Sequence, residues 1–212
     1  MAKAKKAEKA VAISEILGKS WSIFKKNWKT IYILLALPLV LTIIQEMLYG
    51  LTDITGVSAF VVQVVFWLAQ MIVSMGIIKA MLYIVRGKEV DVDTILSTKG
   101  SILPFLFASI LVSLIVLFGF VLLIIPGIYL AIKYMFVPYL LIDKELGAME
   151  SLKMSSEMTK DIKWSLFAFS LVALLIGYGG ILFMLIGLLV TLPYVTVAYS
   201  VLYERVRLAR KV

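Results

Sequence analysis

Between Ile102 and Ile142 the chain runs for 41 residues with a single charge, Lys133. A helix rises 1.5 Å per residue, so about 20 apolar residues cross a hydrocarbon core roughly 30 Å thick. The run therefore fits two membrane-crossing helices joined by a tight turn, which the sequence places near Gly119. Apolar runs at Thr30 to Gly50 and Val57 to Val85 precede it. A further run of about 40 residues from Trp164 to Tyr203 follows, with its turn predicted at the Gly177-Tyr-Gly179-Gly180 cluster. Of the 212 residues, 62% are apolar and 16% charged, whereas soluble domains average about half apolar and about a quarter charged. The expected fold class is all-α: a polytopic integral membrane protein with six transmembrane helices in three hairpin pairs. Residues 1–29 form a basic tail and amphipathic interfacial helix, 30–203 the six-helix domain, and 204–212 a basic C-terminal tail.

Sliding the chain sixty positions against itself exposes a tandem repeat, 102–142 against 162–202. Leu106-Phe107-Ala108 meets Leu166-Phe167-Ala168, Gly119 meets Gly179, Gly127 meets Gly187, and Tyr134 and Tyr139 meet Tyr194 and Tyr199. Two spans per unit keep successive copies in one orientation, so the repeat is parallel, not inverted. The first pair reads as a more diverged copy, since Trp28 precedes it as Trp164 precedes the last.

Shorter polar segments precede each pair. In the first, Ile13, Ile16, Leu17, Trp21, Phe24 and Trp28 lie near one helical face and Glu15, Lys19, Ser22, Lys25, Lys26 and Lys29 on the other. That pattern predicts a helix lying on the membrane with its tryptophans at headgroup depth, the alternative being a helix packed on a partner. Asp91 to Lys99 and Gly147 to Lys163 read as shorter equivalents. The first long apolar run starts only at Thr30, so no cleaved signal peptide is expected.

Of the 21 Lys and Arg residues, nineteen flank one set of span ends: eight before Thr30, three in Arg86–Lys99, four in Lys144–Lys163 and four in Arg205–Lys211. The opposite loops carry none. This positive-inside bias puts both termini in the cytoplasm of a prokaryotic cell, with the chain multi-pass in the inner (plasma) membrane. The same bias accounts for the net charge of +8, so nucleic acid is not an expected partner. Membrane lipids are, through anionic headgroups at the cytoplasmic face, with Trp21, Lys25, Lys26, Trp28, Arg205 and Arg207 as the contact residues. A protein partner or homo-oligomer is also compatible.

Cysteine and histidine are both absent, which excludes disulfides, thiolate metal sites, imidazole bases and Ser-His triads. No cofactor, metal site or catalytic residue is expected. The thirteen acids are scattered, and the close pair Asp91 and Asp93 is more simply a helix start or a solvated loop.

Ile125-Pro-Gly-Ile-Tyr-Leu-Ala-Ile-Lys133-Tyr-Met-Phe-Val-Pro-Tyr139, followed by Asp143-Lys-Glu and Ser155-Ser-Glu-Met-Thr159-Lys-Asp-Ile-Lys-Trp164, carries a resemblance. The chain resembles six-span bacterial membrane proteins of unknown function, related to the YciC-like inner-membrane family and to the membrane domain fused to some glycerophosphodiester phosphodiesterases. Arg86-Gly-Lys-Glu-Val and Gly187-Leu-Leu-Val-Thr-Leu-Pro193 extend the likeness over most of the chain. The resemblance implies a fold and a membrane location. The soluble phosphodiesterase domain has no counterpart here, so it implies no hydrolase activity.

Four polar residues inside spans are candidate functional or structural sites. Lys133 lies about 15 Å from the cytoplasmic end of its span by rise per residue. Snorkelling, or holding carbonyls freed near Pro126-Gly127, is favoured over substrate binding. Lys79 precedes Arg86 by seven residues and snorkels. Glu46, a turn before Gly50, reads as an outer cap or helix contact, and Gln70, with Gln45 and Gln63, as interhelical glue. Pro126, Gly127 and Pro193 are the expected helix breaks.

Two functions follow. The favoured one is a non-enzymatic scaffold or accessory subunit organising lipids or partner proteins. The alternative is a small transporter or channel using the kinked helices around Pro126-Gly127 and Lys133.

Overall fold

The computed structural model describes residues 7–52, 54–91, 93, 102–183 and 186–212. Among them the regular structure is helical throughout: α1 Ile13–Leu51, α2 Gly56–Val85, α3 Ile102–Leu122, α4 Ile124–Tyr134, α5 Val137–Lys144, α6 Ala148–Thr159, α7 Lys163–Gly179, a 3-10 turn Gly180–Phe183, and α8 Ile186–Arg210. Five helical stretches are long and apolar enough to cross a membrane, α4 and α5 together counting as one. A sixth is counted if α6 and α7, bent by 96° at their junction, form one broken span. In the five, between 11% and 39% of the most apolar window is buried inside the protein. The remaining apolar side chains, such as Phe60, Phe118 and Ile125, face outward. So large an exposed apolar surface on a soluble monomer would drive association, and here it marks a multi-pass membrane protein.

α8 is the central element, packing on α1, α2 and α7. Val197, Val201, Leu202, Tyr203 and Val206 are completely or almost completely shielded along its length. The segment expected to be amphipathic and the first expected span run on as one helix, α1. Its backbone leaves helical geometry at Asn27 (φ −117°, ψ 18°), close to the sequence boundary at residue 29. The amphipathic segment does not leave its whole apolar face to the bilayer. Ile16, Ser20 and Phe24 are buried at four-residue spacing, and the Tyr194 hydroxyl on α8 donates to the Leu17 carbonyl at 3.1 Å. Trp21 and Trp28, on the flank of that stripe, stay about half exposed at 43% and 49%.

Several turns fall elsewhere than expected. The α3–α4 reversal is at Leu123, whose extended backbone (φ −167°, ψ 157°) separates the helices, and not at Gly119. Gly119 instead lets the two helices touch: a Cβ there would lie 2.9 Å from the Gly127 Cα. Pro126 and Gly127 stand in the first turn of α4, where a missing N–H costs nothing. The interruption within that span falls at Met135–Phe136, ahead of Pro138 in the first turn of α5. Gly177 and Gly179 are helical, and the chain turns after them. Gly180 and Gly187 form the second close approach, a Cβ on Gly180 meeting the Gly187 carbonyl carbon at 2.7 Å. Pro193 is buried within α8, which continues through it. The segment Gly147 to Lys163 holds α6. Most of Asp91 to Lys99 lies outside the described residues.

Candidate functional site

Arg86 caps the C-terminus of α2, and the next residue, Gly87, has φ +72°. The Gly87 N–H donates to the Ile84 carbonyl at 3.1 Å and the Lys88 N–H to the Tyr83 carbonyl at 2.9 Å. These two bonds are the Schellman pattern, which favours glycine at its left-handed position. The turn sends Lys88 back along the surface and leaves Arg86 facing the ends of α5 and α8.

There Arg86 Nη1 donates to Asp143 Oδ1 at 2.6 Å, while its Nε and Nη2 donate to Glu204 Oε2 at 3.1 and 2.8 Å. Arg207, one turn beyond Glu204, donates from Nη2 to Glu204 Oε1 at 2.6 Å and from Nε to Oε2 at 3.1 Å. Its Nε also lies 3.8 Å from Asp143 Oδ2. The Tyr203 hydroxyl completes the group with a bond to Asp143 Oδ2 at 2.9 Å. Tyr203 stacks on Tyr139 with ring centroids 5.0 Å apart and lies 5.8 Å from Phe136, so α5 and α8 also meet through apolar rings. The two carboxylate side chains are only 7% and 12% exposed, against 21% and 18% for the guanidiniums. Hydrogen bonding to Asp143, followed by that to Glu204, holds the Arg86 guanidinium above its usual range.

Chemically this is a self-neutralised network of two cations and two anions. Glu204 accepts four guanidinium hydrogen bonds, and Asp143 accepts one from Arg86 and one from the Tyr203 hydroxyl, so both carboxylates are held in their charged form by the donors around them. Such a network adds little net stability over an apolar packing, but losing one member strands a charge. Sequence reasoning missed it. Its one local signal is the i,i+3 spacing of Glu204 and Arg207; Arg86 and Asp143 each look like an ordinary charge closing an apolar run.

The residues singled out in the sequence are dispersed. Arg207 belongs to the network, and Arg205 pairs with Glu15 of α1. Lys25 lies over the Trp21 ring and Lys29 over the Trp28 ring, at 5.7 and 5.6 Å from their centroids, and Lys26 is exposed. Gln70 Nε2 donates to the Pro38 carbonyl at 2.9 Å and to Thr42 Oγ1 at 3.0 Å, and Gln45 donates to Gln63 at 2.9 Å, all bridging α1 and α2. Glu46 is exposed near the end of α1, and Lys79 is half-buried on α2. The Lys133 ammonium lies 5.0 Å from the Tyr134 ring centroid. The Lys133 carbonyl, freed by the break before α5, accepts from Ser155 Oγ at 2.9 Å and Thr159 Oγ1 at 3.3 Å. The hydroxyls of α6 thus satisfy backbone left open at the α4–α5 junction. The Lys163 ammonium donates to the Tyr129 hydroxyl at 2.7 Å.

Residues 108–210 match the family model described as a protein of unknown function, DUF975. The matched stretch begins within α3 and ends on the last residue of α8. It holds Asp143, Tyr203, Glu204, Arg207 and the Ser155–Thr159 hydroxyls, and leaves Arg86 and α1 outside. No curated protein and no solved structure matches the chain.

Proposed function

We propose that the chain is a non-enzymatic membrane protein, a scaffold or accessory subunit that organises lipids or partner proteins at the cytoplasmic face of a prokaryotic inner membrane. The pairing of Asp143 and Glu204 with Arg86 and Arg207 carries this reading. The closest group of acids and bases is spent on holding α2, α5 and α8 together, which suits a rigid platform. The lysines of the polar ends are what remains for contact, and the resemblance to YciC-like proteins fits the same description. The glycine contacts at Gly119–Gly127 and Gly180–Gly187 bring the two halves of each unit together in a similar way, although the second is one residue off the sixty-residue register, which pairs Gly119 with Gly179. Crosslinking in native membrane, followed by mild-detergent purification, tests the proposal. Reproducible recovery of defined protein or lipid partners is expected, and recovery of none overturns it.

A second reading, a small transporter or channel, is favoured by one observation: the span formed by α4 and α5 is interrupted beside Lys133. Reconstituted vesicles whose ion and solute leak equals that of protein-free vesicles would overturn it.

A further inference from the structure

The bend of α1 at Asn27 and the Schellman turn after α2 enclose a polar cleft of about 640 Å³. One wall is a single face of α1, since Lys19, Ser22, Ile23, Lys26, Asn27 and Thr30 recur at the three- and four-residue spacing of a helix. The other wall is the chain that Gly87 turns back, bringing Lys88, Glu89 and Asp91 alongside, with Ile84, Val85 and Val90 as apolar lining. Lys19 and Lys26 stand on the α1 wall, while the returning segment carries both acids, Glu89 and Asp91, together with Lys88. Among the described residues no ion pair within 4.0 Å joins Lys19 or Lys26 to Glu89 or Asp91, so the walls do not neutralise each other. Lys88 is partly engaged, its ammonium 5.3 Å from the Tyr83 ring centroid. The α1 wall lies at the junction between the polar segment and the first span, where a bilayer presents its headgroups.

We infer that this cleft binds the headgroup of a zwitterionic aminophospholipid, with the phosphate on Lys19 and Lys26 and the primary ammonium on Glu89 and Asp91. A phosphate alone would leave the two acids opposing it, and an ammonium alone would leave the lysines opposing it. A phosphate joined by a short linker to an amine answers both walls, and Ser22, Asn27 and Thr30 supply neutral hydrogen-bonding groups between them. The inference rests on the reading of the chain as an organiser of lipids and names the lipid class and the place.

The full chain in phosphatidylcholine nanodiscs, doped with phosphatidylethanolamine or phosphatidylglycerol, tests it by native mass spectrometry of retained lipid. Wild type is expected to retain phosphatidylethanolamine in preference to the other two. The double variant Lys19→Ala/Lys26→Ala is expected to lose that affinity by about thirtyfold, the scale of two surface lysines acting on one phosphate. Lys19→Arg/Lys26→Arg retains most of it. Glu89→Gln/Asp91→Asn loses the preference over phosphatidylglycerol while still binding a phosphate. All four positions are at the surface, so thermal stability is expected to stay at the wild-type value, and Lys144→Ala/Lys153→Ala serves as the control for general basic charge. Equal retention of all three lipids by wild type, or no effect of Lys19→Ala/Lys26→Ala, overturns the site. Full displacement by soluble O-phosphoethanolamine overturns the lipid as the source of the ligand. Partner recovery by crosslinking is read separately: partners that persist in Lys19→Ala/Lys26→Ala with lipid selectivity never seen reject this site alone, and the absence of any partner rejects the scaffold.

Discussion

The Tyr203 hydroxyl donates to Asp143 Oδ2 at 2.9 Å and so ties α8 to α5 across sixty residues of sequence. The acceptor also faces Arg86 and Arg207, so removing the hydroxyl leaves the carboxylate with its charge partners. Tyr203→Phe keeps the ring on Tyr139 and deletes one bond to a charged group, a change of about 1.5–3 kcal/mol. We expect a lower unfolding midpoint in detergent with unchanged helix content by circular dichroism. A midpoint equal to wild type would show that water replaces the hydroxyl.

Arg86→Gln is expected to cost more, because it strands both Asp143 and Glu204 with only Arg207 to answer them. Removing one partner of a buried pair typically costs about 3–5 kcal/mol, and the partial exposure of Arg86 places this case toward the lower end. The double variant Arg86→Gln/Asp143→Asn should recover part of the loss, since it removes the stranded charge with the missing cation. A double-mutant cycle on unfolding midpoints measures this directly. Additive effects would mean that the two groups are not coupled.

At Gly127 a Cβ would lie 2.5 Å from the Phe120 ring. Gly127→Ala must therefore displace the Phe120 ring or separate α3 from α4, an overpacking cost of about 1–3 kcal/mol. Gly50, with open space where a Cβ would stand, is the control. Gly50→Ala removes backbone freedom in a helix and is expected to be neutral or slightly stabilising. Thermal unfolding of the two variants side by side checks the contrast.

Helix positions were legible because twenty-residue apolar runs leave few alternatives in any solvent. Asn27 interrupts α1 close to where composition changes from amphipathic to apolar, so even that bend had a local cause in the sequence. The turns were less legible. Gly119 and Gly177 carry the composition of a turn, but Gly119 is used to let helices approach, while the α3–α4 reversal falls at Leu123, a residue with no turn signature. The network was illegible for a different reason. Arg86, Asp143 and Glu204 become neighbours only when α2, α5 and α8 pack, and no local periodicity encodes contacts between residues so far apart in sequence. Arg207 illustrates the cost: read as a surface cation for lipid, it spends its guanidinium on Glu204. For Lys133 the sequence anticipated that backbone groups would be freed nearby, yet the donors that answer them are Ser155 and Thr159 on α6.

Gly87 stands between the two sites, because its left-handed backbone directly follows Arg86 of the network and turns Lys88–Asp91 toward α1. An L-side chain at φ +72° costs about 1–2 kcal/mol, and open space around the position means that strain, not collision, is the whole penalty. Gly87→Ala should therefore lower the unfolding midpoint modestly, and Gly87→Asn less, since asparagine tolerates the left-handed region better. The size of the effect on the two sites separates them. Arg86 is held by three hydrogen bonds to carboxylates and should stay in place, whereas the returning wall depends on the turn itself. Lipid selectivity should fall in Gly87→Ala before stability is lost. The chain has no native cysteine, so a pair introduced at Lys26 and Glu89 offers a direct readout: spin-label distances between them should broaden in Gly87→Ala and remain narrow in Gly87→Asn. A distribution unchanged in both variants would show that the wall is held by contacts other than the Schellman turn.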